Sequence, residues 1–207
     1  MENIKNIINS CNKATIVAAT KYVDETKMKE LLESGINNFG ENRVNEFLRK
    51  YEVLNDCDIV WHFIGSLQTN KVKSMINKIS YLHSLNSLKL ATFIDKYRIE
   101  PLNCFLEVNL TESSSKTGIN INDVKKFLLD IKDLSKVNVI GLMTMTEKEQ
   151  TDDEKLEVFN RLNSFKNELN ELGYNNITEL SMGMSDDYLL AIKANATFVR
   201  LGRILFR

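Results

Sequence analysis

The chain is poor in the residues that punctuate, cross-link or ligate. One proline (Pro101) and no Gly/Ser-rich stretch occur in 207 residues, so no linker divides the sequence. The three cysteines, Cys11, Cys57 and Cys104, are odd in number and widely spaced, with no C-x-x-C. That argues against a disulfide framework, and they read as reduced core thiols. Only two histidines are present, His62 and His83, without H-E-x-x-H or clustered carboxylates, so no metal site is expected. Excess charge is missing too. Lys+Arg 27 against Asp+Glu 28, with no basic block, speaks against nucleic acid as a partner. Apolar runs are too short for a transmembrane helix, and Met1-Glu-Asn-Ile-Lys-Asn6 lacks the order of a secretion signal. A cytoplasmic protein with no membrane association is expected. No G-x-G-x-x-G, no Walker Gly-Lys-Ser/Thr and no convincing Ser-His-Asp set is found.

What is present is a strict alternation. Short β-branched and aromatic runs fall at Thr15–Thr20, Asn37–Gly40, Ile59–Ile64, Tyr81–His83, Cys104–Asn109, Val137–Met143, Ile177–Ser181 and Phe198–Leu201. Helical patterns lie between them. Asp24 caps one that runs to Glu33, with Gly35 just beyond. Glu41 or Asn42 opens the next, with Val44, Phe47, Leu48 and Tyr51 on one face. Thr69, Ser87, Asn122, Asp152 and Asp186 start the others, Gly173 stops the longest, and Ile4, Ile7, Ile8 and Cys11 make an extra amphipathic N-terminal helix. Eight strands alternating with helices predict an α/β protein, a single (β/α)8 barrel domain over residues 1–207. An open doubly wound sheet is the alternative.

A barrel gathers the ends of its strands on one face, where function is built. Three features meet there. Lys21 follows the first strand run, where an apolar wall would strip its solvation and free its amine to attack a carbonyl. Ser181-Met-Gly-Met-Ser-Asp-Asp187 and Val199-Arg-Leu-Gly-Arg203 close the last two strands with Gly and polar groups. The Ser185 hydroxyl, the amides near Ser185-Asp186 at a helix start, and those of Gly202 and Arg203 suit a phosphate group. Two capped turns without a ligand would look the same. Arg200 lies inside the last strand and needs a partner, either a carboxylate such as Glu107 or a ring nitrogen of a cofactor. His62 and His83 end the third and fourth strands and read as hydrogen-bonded core or rim residues. Met143 and Met145 read as barrel packing, or as the lining of a flat cofactor.

Taken in order, several stretches resemble the pyridoxal phosphate homeostasis proteins, the YggS/PROSC-like family. They are Ala18-Ala-Thr-Lys21, Phe39-Gly-Glu-Asn-Arg-Val-Asn-Glu46, Trp61-His-Phe-Ile-Gly-Ser-Leu-Gln-Thr-Asn-Lys71, Ser115-Lys-Thr-Gly118, Gly141-Leu-Met-Thr-Met145, Leu180-Ser-Met-Gly-Met-Ser185 and Val199-Arg-Leu-Gly202. The resemblance implies a fold-type III pyridoxal phosphate (PLP) barrel like the N-terminal domain of alanine racemase. Lys21 would form a Schiff base with PLP, Arg200 would face the pyridine nitrogen, Ser185 and the Gly202–Arg203 backbone would hold the phosphate, and Asn42 and Met143 would lie near the ring. Thr20, Ser66 and Asn195 depart from the family's usual Ser, Pro and Gly, and the chain stops at Arg207 without the usual short tail.

The resemblance implies a vitamin B6 carrier, a monomer that serves intracellular PLP homeostasis with little or no turnover, with apo forms of PLP enzymes as recipients. An amino-acid racemase, in which Lys21 would be catalytic, is one alternative. A Schiff-base aldolase acting on a sugar phosphate is another, and it lacks an identifiable acid–base residue. Whether Lys116 holds a second cofactor molecule stays open.

Overall fold

A computed structural model describes residues 2–110 and 117–206. Lys116 lies outside the described residues. The strands are β1 (Thr15–Ala19), β2 (Asn38–Glu41), β3 (Val60–Phe63), β4 (Tyr81–Leu85), β5 (Leu102–Asn109), β6 (Ile119–Asn120), β7 (Val137–Met143), β8 (Glu179–Met184) and β9 (Phe198–Leu201). Eight of them form a closed parallel ring in the order β1-β2-β3-β4-β5-β7-β8-β9. Closure comes from β1 against β9, with Thr15 opposite Phe198 and Ala18 opposite Leu201. The ring is the expected (β/α)8 barrel. The additional strand, β6, pairs with the end of β5 outside the ring, through Val108–Ile119 and Asn109–Asn120.

The α-helices are α1 (Glu2–Ser10), α2 (Glu25–Glu33), α3 (Val44–Val53), α4 (Val72–Met75), α5 (Leu88–Tyr97), α6 (Val124–Asp130), α7 (Asp152–Glu171) and α8 (Tyr188–Lys193). Local chemistry fixes their ends. The Asp24 carboxylate accepts from the Lys27 amide and the Ser87 hydroxyl from the Leu90 amide. Thr151 and Glu154 form a reciprocal capping box, so α7 starts at Asp152 with Thr151 as its cap. Other boundaries move from their expected places. Glu41 is the last residue of β2, paired opposite Phe63, so α3 is capped at Arg43 and not at Glu41 or Asn42. Thr69 and Asn122 fall in 3-10 turns (Thr69–Lys71, Ile121–Asp123) that precede α4 and α6. β1 stops at Ala19, β4 runs on to Leu85, and β8 begins at Glu179 and reaches Met184. Asn195, in the position commonly Gly, has φ +66°, a left-handed conformation that Asn tolerates better than most residues.

Strand alternation separates two cores. On β3, Trp61 packs outward against Phe39, Phe47 and Tyr51 at the helix layer, while His62 points inward and stacks on Tyr81 at 4.5 Å. The inner core contains Val17, Phe105, Met143 and Phe198. Polar side chains share that interior: His62, His83, Ser181 and Arg200 are all almost wholly buried. This mixture matters for the site above it.

Candidate active face at the barrel mouth

The C-terminal strand ends converge as the barrel requires. A cavity of about 290 Å³ is lined by Lys21, Asn42, Met143 and Arg200, together with Gly65 and Ser84. An adjoining cavity of about 560 Å³ shares Lys21 and Arg200 and adds Ser185, Gly202 and Arg203. All seven residues singled out from the sequence therefore border one mouth.

Lys21 sits in the turn after β1 and is exposed, with Nζ 4.9 Å from the centre of the Tyr22 ring. The apolar wall expected around it is not there, because β1 ends two residues earlier and lets the side chain reach solvent. What is buried lies directly beneath. Lys50 Nζ, from α3, donates to the Thr20 carbonyl at 2.6 Å and to Glu41 Oε1 at 2.5 Å. Thr20 Oγ1 also donates to Glu41 Oε1, at 2.7 Å. Glu41 is 0% and Lys50 1% exposed. This ion pair grips the peptide group that leads into Lys21.

Asn42 follows β2. Its Oδ1 is buried without a hydrogen-bond partner, the kind of orphan acceptor that a polar ligand satisfies. Gly65 makes this placement possible, since a Cβ there would lie 2.2 Å from the Asn42 carbonyl oxygen.

Arg200 does not pair with Glu107. Its Nη1 donates to the Ser181 carbonyl at 2.8 Å and to Ser181 Oγ at 2.6 Å, and Nη2 donates to the Thr144 carbonyl at 3.0 Å. Glu107 instead accepts from Asn86 Nδ2 and Thr117 Oγ1. Burial lowers the guanidinium to about 10 against the opposing charges of Asp187 and Glu107, which leaves it protonated at neutral pH.

Ser185 Oγ accepts from the Gly202 amide at 3.1 Å, tying the ends of β8 and β9 together. Ser185 and Asp186 lie in a turn and not at a helix start as expected. The Asp187 carboxylate accepts from the Met184 amide at 2.6 Å, and α8 begins only at Tyr188. With six residues, α8 offers no helix-end contribution to an anion site. Gly183 permits the sharp approach to that turn: its φ is +89°, and a Cβ would lie 2.5 Å from Ala191 Cβ. Arg203 forms an ion pair with Asp186.

Two features escaped the sequence reading. Lys50 was visible in principle, one turn beyond Phe47 on the apolar face of α3, where a lone lysine requires a buried acid. His62 and His83, read as separate residues, are joined at 2.9 Å and linked to both Asn38 and Ser181. Neither lies at a strand end facing the mouth.

The family model for the N-terminal domain of alanine racemase matches residues 1–207. A pyridoxal phosphate homeostasis protein of Aquifex aeolicus is 37% identical over 198 residues, covering 94% of this chain and 87% of that protein. The chain belongs to the pyridoxal phosphate homeostasis proteins, within the alanine racemase N-terminal family. The homeostasis protein of Escherichia coli K12 is 30% identical over 95% of this chain and 86% of its own. Among solved structures, PipY of Synechococcus elongatus, described with PLP bound, superposes with a TM-score of 0.91 at 29% identity, covering 100% of this chain and 99% of that one. Alanine racemase of Corynebacterium glutamicum shares the fold at a TM-score of 0.77, with 13% identity, and this chain covers 59% of it. Among the described residues no helix is long and apolar enough to cross a membrane, and no group of His, Cys, Asp and Glu could hold a metal ion.

Proposed function

We propose that this protein binds PLP as a Schiff base on Lys21 and holds it for intracellular PLP homeostasis, with little or no turnover. The observation that carries the reading is the common mouth: an amine, a buried cationic guanidinium and a Ser–Gly turn border two adjoining cavities. The site fits the cofactor's chemistry. Ser185 and the Gly202–Arg203 backbone would hold the phosphate, Arg200 the ring nitrogen, and Asn42 and Met143 the ring itself. Membership among homeostasis proteins, and the PipY structure described with PLP bound, support the same ligand.

PLP supplies an aldehyde for condensation with an amine and a ring that withdraws electrons. What the chain does with it follows from Arg200. A guanidinium that stays protonated cannot take up the pyridine proton, so it offers only hydrogen bonds and leaves the ring a weak electron sink. Such a site can exchange amines and suits retention better than carbanion chemistry. We further infer a cytoplasmic monomer that passes cofactor to apo forms of PLP enzymes.

The test is direct. The purified protein mixed with PLP should turn yellow, and borohydride followed by peptide mass mapping should place a phosphopyridoxyl group on Lys21. In Lys21→Ala that adduct should vanish while the fold persists. A protein that stays colourless would overturn the reading, as would racemisation of L-alanine well above background. Ser185→Ala should weaken retention about 10-fold or more, the usual worth of a hydrogen bond to a charged group. An unchanged dissociation constant would remove Ser185 from the phosphate site.

A further inference from the structure

We propose that Ser181, His83, His62 and Asn38 are positioning residues for Arg200, forming a one-way hydrogen-bond chain across the barrel interior that fixes the guanidinium toward the mouth. The inference rests on the cofactor reading only for what Arg200 finally meets. The chain itself is a property of the unloaded protein.

Its direction follows from donor and acceptor capacity. A guanidinium can only donate. Arg200 Nη1 donates to Ser181 Oγ at 2.6 Å, so the single hydroxyl hydrogen of Ser181 is free to go to His83 Nδ1, at 2.7 Å. His83 must then carry its proton on Nε2 and donate to His62 Nδ1, at 2.9 Å. His62 in turn carries its proton on Nε2 and donates to Asn38 Oδ1, also at 2.9 Å. Asn38 Nδ2 ends the chain on Asn37 Oδ1 at 2.9 Å. Reversing any link would leave Ser181 Oγ with two donors and no acceptor for its own hydrogen. Both rings are thus neutral with one tautomer each, and burial acts the same way by disfavouring the imidazolium.

Packing makes the chain rigid. The five residues come from β2, β3, β4, β8 and β9, so the links reach across the barrel interior. His62 stacks on Tyr81 at 4.5 Å and His83 on Phe105 at 4.4 Å, which fixes both ring planes. Arg200 commits three of its five N–H groups to Ser181 and Thr144, which leaves two for a ligand. A guanidinium held in one rotation presents those two at fixed places, and binding then pays no cost for ordering it. The links lead away from Arg200, so the chain absorbs its hydrogen bonds and returns no proton to it.

Ser181→Ala removes one oxygen from the middle of the chain and little volume; Ser181→Thr restores the hydroxyl. In the unloaded parent labelled with ¹⁵N-histidine, NMR should show both rings neutral with hydrogen on Nε2. In Ser181→Ala the His83 Nδ1 resonance should move to that of a nitrogen without a donor. Loaded with PLP, Ser181→Ala should show a displaced visible band and a dissociation constant about tenfold weaker, and Ser181→Thr should recover both. A hydrogen on Nδ1 of either ring in the parent would overturn the chain. So would a band and dissociation constant unchanged by Ser181→Ala, since a structural role alone moves only the melting temperature. If the parent takes up no PLP, the cofactor reading fails separately, and the ring nitrogens of the unloaded protein decide the chain.

Discussion

Lys50→Met should destabilise the protein by about 3–5 kcal/mol, because it leaves the Glu41 carboxylate buried without its counter-charge. For a chain of this size that is a fall in melting temperature of roughly 6–20 °C. The cause is specific to the missing partner. Methionine fills much of the lysine volume, so a cavity contributes little. The double variant Glu41→Gln, Lys50→Met should therefore recover most of the loss, as a double-mutant cycle by thermal or urea unfolding would show. A single Lys50→Met variant as stable as the parent would show that the pair contributes nothing. If Lys21 captures PLP as proposed, the same variant should slow that capture, because the Thr20 carbonyl loses the ammonium that holds it.

Acid should unfold the protein unusually early. His62 is held down at about 3 and His83 well below its ordinary value, both by burial. The unfolded chain takes up protons on these rings below about pH 6.5, and the folded chain does not, so stability falls as the pH falls through that window. Each ring costs about 1.4 kcal/mol per pH unit once below its unfolded value, so the pair removes about 2–3 kcal/mol between pH 6 and pH 5. Carboxylates titrate mainly lower, which isolates the histidines in this range. Urea midpoints at pH 7, 6 and 5 should show the decline, and His62→Phe should reduce its slope by about half. A midpoint that stays level from pH 7 to pH 5 would contradict neutral buried rings.

The architecture was legible because a parallel barrel repeats one local unit. Each apolar run, Gly or Asx stop and amphipathic face could be read without knowing its neighbours, and the eight ring strands fall where those runs do. Boundaries were less legible wherever one residue had two possible duties. Glu41 looks like a helix cap until its pairing opposite Phe63 makes it the end of β2. Asp186 and Asp187 are indistinguishable until the Met184 amide selects Asp187. At the mouth, each candidate could be named because strand ends must gather there. What lay underneath could not. Lys50 stands out on the apolar face of α3, but its pairing with Glu41 depends on how that helix docks on β2, and the two-histidine chain depends on which inward positions of separate strands meet.

Closure of β1 on β9 also carries a consequence for how the protein comes into being. Lys21 follows the first strand of the ring and Arg200 stands on the last, with 178 residues of chain between them. Synthesis runs from one to the other, so a nascent chain displays its amine long before the guanidinium exists. Until β9 emerges, β1 has an open edge and the mouth lacks Arg200, and contacts of such sequence separation form late. If the mouth holds PLP as proposed, loading is thus confined to a chain that has completed β9. A product truncated before β9 would lack the guanidinium that borders both mouth cavities.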